Sequence, residues 1–337
     1  MTHGVAKPGA RLRMAVIGCG PMGGWHARAI ASSELASLAA VCDPDGARRT
    51  AAAECFGVPA YETLRQLLAD ESIDSVTIAT PDHLHVDVAL AAIEAGCHVF
   101  CEKPLATDIV EAERIVRAAA EQNVHLAVDY NRRFAFGYRT AKGLLDEGKI
   151  GRLRYGLLRV SDRTPRPEVA RNPFVIFTTL LTHHFDLMRY YGGEICRLHA
   201  ISAERSPGAL VRNVVLSLQF RSGSIGTIVA DYRDNLARTS EWMELGGDLG
   251  SLAVEDITRR VIFSGADPDR RETYEPDLFG AGGAFYDSVL EQVRVFIEHV
   301  ARGQKPPVTG EDGWRGLQWA AAAVESLRSG QAVEITP

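Results

Sequence analysis

The sequence predicts an α/β protein in two parts, a doubly wound parallel sheet followed by an α/β domain on a largely antiparallel sheet. Three observations carry this. Between residues 14 and 129, short apolar runs alternate with helical segments of about 10–15 residues, the grammar of βαβ units. After Tyr130 the strand-like runs follow one another in hairpin fashion, with turns such as Arg221-Ser222-Gly223-Ser224. The 337 residues amount to about two domains, each long enough to bury a core.

Taken in order, Met14–Ile17 is an apolar run ending in glycines, and Trp25–Ser33 reads as a helix. Leu38–Cys42 and Gly46–Cys55 repeat the pair. Ser75–Thr80 is a buried-strand pattern, followed by the alanine-rich helix Val86–Ala95. His98–Cys101, the amphipathic Thr107–Glu121 and His125–Asp129 complete the series. Phe136–Glu147 is helical. Strand patterns then occupy 154–161, 197–203, 211–220, 224–231, 240–245, 251–254 and 260–263, and helical periods return over 286–301 and 313–327. The expected division is 1–132 and 133–337, with the final helix packing back on the first domain.

Composition narrows the function. Hydrophobic residues make up 46% and charged residues 24%, both ordinary for a globular chain. The net charge of −6 and the lack of a long basic run argue against nucleic acid or an anionic membrane as partner. The six cysteines form no CxxC pair and no metal-ligand spacing, so reduced thiols in a cytoplasmic protein and no metal site are expected. No apolar stretch reaches the ~20 residues that span a bilayer. The first thirteen residues lack the apolar core of an export signal.

The strongest motif is Gly18-Cys19-Gly20-Pro21-Met22-Gly23, set between a strand and a helix. Gly18 permits the tight turn, Gly20 lets a pyrophosphate approach the backbone, and Gly23 permits close helix–strand packing. The amides at the helix start, with its dipole, attract a diphosphate. Asp43 ends the second strand, 20 residues after Gly23. A carboxylate there accepts hydrogen bonds from the adenosine ribose hydroxyls and repels a 2′-phosphate, which favours NAD. Arg48 and Arg49 follow closely and keep NADP open.

From residue 75 onward the sequence resembles the glucose–fructose oxidoreductase / inositol dehydrogenase / MocA family. The matching stretches are Ala79-Thr80-Pro81-Asp82-His83-Leu84-His85, Glu102-Lys103-Pro104-Leu105-Ala106, Tyr130-Asn131-Arg132-Arg133-Phe134 and Thr182-His183-His184-Phe185-Asp186-Leu187-Met188-Arg189. With the glycine turn they cover the first ~200 residues, and the combination of glycine turn and EKP is specific for the family rather than for a substrate. The resemblance implies a Rossmann domain plus an α/β domain whose open, mostly antiparallel sheet covers the nicotinamide and often serves in oligomer contacts.

The resemblance makes Lys103 and His183 the catalytic pair. Lys103 follows a buried strand at its C-terminal end, where a partly desolvated lysine orients or deprotonates a substrate hydroxyl. Pro104 is expected to follow a cis peptide. His183, in the HxxD pattern with Asp186, takes or returns the hydroxyl proton; the adjacent His184 is its rival. Gly18, Gly20, Pro21, Met22, Gly23, Asp43, Thr80, Pro81, His85, Glu102 and Lys103 are the expected cofactor contacts, with His85 either structural or close to the cofactor. Arg133, Thr179 and Thr182 join Lys103 and His183 as expected substrate contacts. Arg133 reads equally well as a structural ion pair. Inositol-dehydrogenase relatives carry an aspartate four residues before the histidine, where this chain has Thr179. The loop with Arg163, Arg166 and Arg171 is a further substrate candidate.

The expected function is hydride transfer between nicotinamide and a secondary alcohol of a sugar, polyol or related hydroxy compound, in a cytoplasmic dimer or tetramer. Two alternatives remain at this stage: an NAD-dependent glycoside hydrolase using transient oxidation, and a non-catalytic dinucleotide-binding regulator.

Overall fold

The computed structural model describes residues 11–165, 172–204, 206, 208–234, 240–267, 269–276 and 285–336. Arg166 and Arg171 lie outside them. The chain divides into two compact units, one of residues 1–130 with 289–315 and one of 131–288 with 316–337.

In the first unit β1 (Leu12–Ile17), α1 (Pro21–Ala31), β2 (Ala36–Cys42), α2 (Gly46–Phe56), β3 (Ala60–Tyr61), α3 (Leu64–Asp70), β4 (Ser75–Ile78), α4 (His85–Glu94), β5 (His98–Cys101), α5 (Ile109–Glu121) and β6 (Leu126–Val128) alternate. The strands pair in parallel in the order β3-β2-β1-β4-β5-β6. They are covered on both faces, which is why they read as continuous apolar runs rather than alternating ones. Side chains also start the helices. Asp45 accepts from the amides of Ala47 and Arg48 at α2, Asp108 from those of Val110 and Glu111 at α5, and Thr63 with Gln66 forms a capping box at α3. Strand order reverses between β1 and β4, so the loops after these strands flank the crevice where doubly wound sheets bind ligands.

The second unit begins with α6 (Phe136–Asp146), β7 (Leu153–Arg163), α7 (Val175–Thr179), α8 (Thr182–Gly192), β8 (Ile195–Ile201), β9 (Asn213–Phe220), β10 (Ile225–Arg233), β11 (Ser240–Gly247), β12 (Ser251–Glu255), β13 (Arg260–Ser264) and β14 (Arg271–Tyr274). Then come α9 (Phe285–Ala301), α10 (Gly310–Ser329) and β15 (Val333–Glu334). The second sheet runs β14-β13-β12-β11-β7-β10-β9-β8-β15 and is antiparallel except where β10 pairs in parallel with β7. Along β9 and β10 buried residues alternate strictly with less buried ones. Leu216, Leu218, Ile228, Ala230 and Met243 face a core shared with Tyr138, Phe185 and Trp319.

The expected elements are present with shifted ends. Helix α1 starts at Pro21 rather than Trp25. The short β3, α3, α7, β14 and β15 were not anticipated. The division falls after Tyr130. The segment that joins the first unit is 289–315, most of α9 and the first turns of α10, whereas the expectation named the last helix. There Val293, Phe296, Ile297 and Val300 share a core with Leu12, Met14, Val16, Ile30 and Phe100.

Candidate functional site

The phosphate loop is shaped by what its glycines exclude. Gly18 has φ +98°, and a Cβ on it would lie 2.5 Å from the Ala79 carbonyl oxygen. A Cβ on Gly23 would lie 1.9 Å from the Gly18 oxygen, so β1 and α1 meet at a distance only glycine permits. A Cβ on Gly20 would meet nothing within 4 Å. That open side faces the start of α1, where Gly20 is the N-cap, Pro21 opens the helix, no side chain caps it and no acid occupies the first turn. These features fit a diphosphate on the amides around Met22.

Asp43 is 6% exposed at the end of β2. Its Oδ2 accepts from the Cys19 amide at 2.7 Å, and its Oδ1 from the Asp45 amide at 2.8 Å. One carboxylate thus braces the glycine loop while standing where an adenosine ribose would be read. Arg49 is turned onto the backbone, donating to the carbonyls of Asp43 and Pro44. Arg48 stays exposed beside Asp45.

The loops after β4, β5 and β6 leave the same edge of the sheet. Each is fastened to the strand before it: Ala79 to Ile17, Glu102 to Ile78, and Asp129 to Cys101, all through backbone bonds of 2.8–2.9 Å. Thr80 and Pro81 follow β4. His85 is 1% exposed, with Nδ1 2.8 Å from the Pro104 oxygen and Nε2 3.0 Å from the Thr80 oxygen. Both ring nitrogens face backbone, so His85 staples the Thr80 loop to the Glu102-Lys103-Pro104 loop, and any influence on a cofactor passes through them. The Lys103–Pro104 bond is cis. Lys103 is half-buried beside Glu102. Beneath it lies a cluster that sequence reasoning missed. His26 Nε2 is 3.3 Å from Glu102 and 3.5 Å from Asp129. Among the described residues this is the one grouping of three His, Cys, Asp or Glu side chains tight enough to enclose a cation. The two contacts are ion-pair contacts of one imidazole nitrogen with two carboxylates.

In the second unit α8 carries the histidines. His184 is fully buried, with Nδ1 2.8 Å from the Leu180 oxygen and Nε2 3.0 Å from Glu241. Arg132 also meets Glu241, at 3.3 Å, and the Tyr138 hydroxyl donates to it. Burial pushes the Glu241 carboxyl up, but the charges of Arg132 and His184 outweigh it and hold the pKa at about 2. His184 therefore belongs to a structural network, while the adjacent His183 is 7% exposed. Arg133 chelates Asp186 through two nitrogens and stacks 5.0 Å over Tyr190. The ion-pair alternative describes these contacts. Thr182 is fully buried, its hydroxyl directed at the Thr178 carbonyl at 3.4 Å, so it packs the helix. The Thr179 hydroxyl bonds the Val175 carbonyl and lies 2.7 Å from the Tyr232 hydroxyl. Tyr232, on β10, was not singled out from sequence. Burial pushes its phenol up to about 12, so it is a neutral hydroxyl.

Comparison with known proteins places these features. Residues 12–130 match the model of the oxidoreductase family with an NAD-binding Rossmann fold, and residues 138–253 match the GFO/IDH/MocA C-terminal domain. The chain belongs to the GFO/IDH/MocA family. Among its relatives, myo-inositol 2-dehydrogenase of Thermotoga maritima is 30% identical over 96% of this chain and 98% of its own. The NAD(+) scyllo-inositol 2-dehydrogenase of Bacillus subtilis is 28% identical over 96% of each. A levoglucosan dehydrogenase solved with NADH and levoglucosan superposes with a TM-score of 0.86, at 25% identity, over 97% of this chain and all of its own. As a GFO/IDH/MocA member the protein is an oxidoreductase that uses NAD. No helix among the described residues is long and apolar enough to cross a membrane.

Proposed function

We propose that the protein reversibly oxidises a secondary alcohol of a sugar, polyol or related hydroxy compound. The observation that carries this reading is Lys103, half-buried at the C-terminal end of β5 beside the ligand edge of the first sheet. When bound, NAD supplies the hydride acceptor. The amides at the start of α1 hold the diphosphate, and Asp43 receives the adenosine ribose. The Thr80-Pro81 and Glu102-Lys103 segments line the nicotinamide end. Lys103 orients the substrate hydroxyl and lowers the cost of its deprotonation. His183 takes the proton, since His184 is committed to Glu241. Thr179, with Tyr232, offers a neutral hydroxyl pair toward substrate where inositol-dehydrogenase relatives have an ionised aspartate. That exchange favours a substrate other than inositol.

We also read the protein as a cytoplasmic homo-oligomer, a dimer or tetramer. Exposed Ile201 and Val215 are cross-strand neighbours on one face of the second sheet, and exposed Tyr155 and Ile225 pair on the same face. The test of function is NAD reduction with a panel of sugars, inositols and sugar acids. On the substrate it identifies, Lys103→Met is expected to lower turnover at least about 100-fold. NADH affinity, read by fluorescence, should stay within about threefold. Unchanged turnover would remove Lys103 from the chemistry.

A further inference from the structure

We propose that His26 is a positioning residue for the reaction. As a buried cation paired with Glu102 and Asp129, it keeps Glu102 ionised and in place behind Lys103. This rests on the role given to Lys103 above.

The geometry brings three chain segments to one point. His26 comes from the second turn of α1, Glu102 from the end of β5 and Asp129 from the end of β6. His26 is fully buried and Asp129 2% exposed. The imidazole packs edge-on against Phe100, with ring centroids 5.3 Å apart. Neither ring nitrogen makes a hydrogen bond of good geometry among the described residues, so the two charge contacts of Nε2, at 3.3 and 3.5 Å, decide its charge. With a neutral ring, two carboxylates would lie side by side in a buried pocket without the imidazolium charge, which favours protonating one of them.

Among the described residues the ionisable groups around the cluster are few. The end of β5 and the loops after β5 and β6 bring Cys101, Glu102, Lys103 and Asp129, and α9, packed on the same strands, brings the neutral Gln292, which donates to the Val128 carbonyl. The Cys101 thiol is pushed far up by burial and stays neutral. Burial pushes the His26 ring down, but hydrogen bonds to Asp129 and Glu102 overcome it and raise it to about 9. Burial, then the Glu102 charge, push Asp129 up to about 7. Glu102 resists its burial through the His26 bond and charge, aided by Lys103, and ends below the ordinary carboxylate range. Near neutrality the cluster is thus an imidazolium, an ionised Glu102 and an Asp129 that gains or loses one proton. The negative charge sits on the member nearest Lys103.

The experiment reads Lys103 directly, without substrate. The full-length protein is pulse-labelled with an amine-reactive anhydride across pH, and the Lys103 peptide is quantified by mass spectrometry. Glu102→Gln is expected to lower the pH of half-labelling by about one unit, because the adjacent anion is gone. His26→Gln should move it the same way by a smaller amount, since Glu102 loses the imidazolium that holds it ionised and in place. In the Glu102→Gln background, His26→Gln should add nothing. An unchanged midpoint in His26→Gln, or additive shifts, would reduce His26 to a packing residue. If His26→Gln does not fold, nitrogen NMR of the wild-type protein decides. Two protonated ring nitrogens at pH 8 support the proposal and a neutral ring overturns it, as does one tightly bound metal ion per chain by elemental analysis. The Lys103→Met assay tests the lysine's role separately, so either idea can fail alone.

Discussion

At the residue scale, Glu241 shows how a buried charge is kept. It is 2% exposed, yet Arg132, His184 and Tyr138 all converge on it. Glu241→Gln leaves Arg132 buried without its counter-charge, and should destabilise the protein by about 3–5 kcal/mol, seen as a lower urea midpoint at unchanged slope. None of this was legible in the sequence. Glu241 lies 57 residues from His184 and looks like any strand acid. The same distance problem hid the partner of Arg133: an ion pair was among its readings, but a 53-residue separation gave no sign that Asp186 completes it. Asp43 was legible because its position relative to Gly23 is set by one βαβ unit. Its bond to the Cys19 amide adds a second duty. Asp43→Ala should therefore weaken NAD binding at least tenfold and NADP binding less, by loosening the loop as well as losing the ribose contact. Titration of both dinucleotides by fluorescence checks this, and an equal loss for both would count against the ribose role.

At the element scale, α1 begins where helix propensity argues against a helix. Gly20, Gly23 and Gly24 are poor helix formers, and the sequence reading accordingly delayed the helix to Trp25. Close packing overrides propensity here, because Gly23 touches the Gly18 backbone. Gly23→Ala should push α1 off β1 and raise the dissociation constant for NADH at least tenfold, while circular dichroism stays nearly native; wild-type affinity in that variant would contradict the packing argument. The long elements were legible from their periods. The two-residue β3 and β15 were not, because two residues cannot display alternation. The parallel β7–β10 pair was hidden for another reason: the strands are separated by α7, α8, β8 and β9, and hairpin-like succession predicts only antiparallel neighbours.

At the scale of the whole molecule, the two units lose stability at opposite ends of the pH range. Glu241 sits in the second unit with its pKa lowered from 4.5 to about 2. Its contribution, about 3 kcal/mol from the size of that shift, is present above the unfolded value and disappears as pH falls toward 2. His26 sits in the first unit with its pKa raised from 6.5 to about 9. Its contribution is complete below 6.5 and is lost as pH rises through about 9. Hydrogen exchange should show β7 and β11 loosening first in acid, and β5 and β6 first in alkali. The reverse order would mean that other groups govern. The doubly wound sheet itself was legible, but not that its core is finished by residues 164 or more positions away. Val293, Phe296, Ile297 and Val300 pack against Phe100 and β1, and Gln292 donates to the Val128 carbonyl. During synthesis, β1 to β6 therefore leave the ribosome well before α9 can seal their apolar face, so a nascent chain stalled before α9 would be a natural client for chaperones.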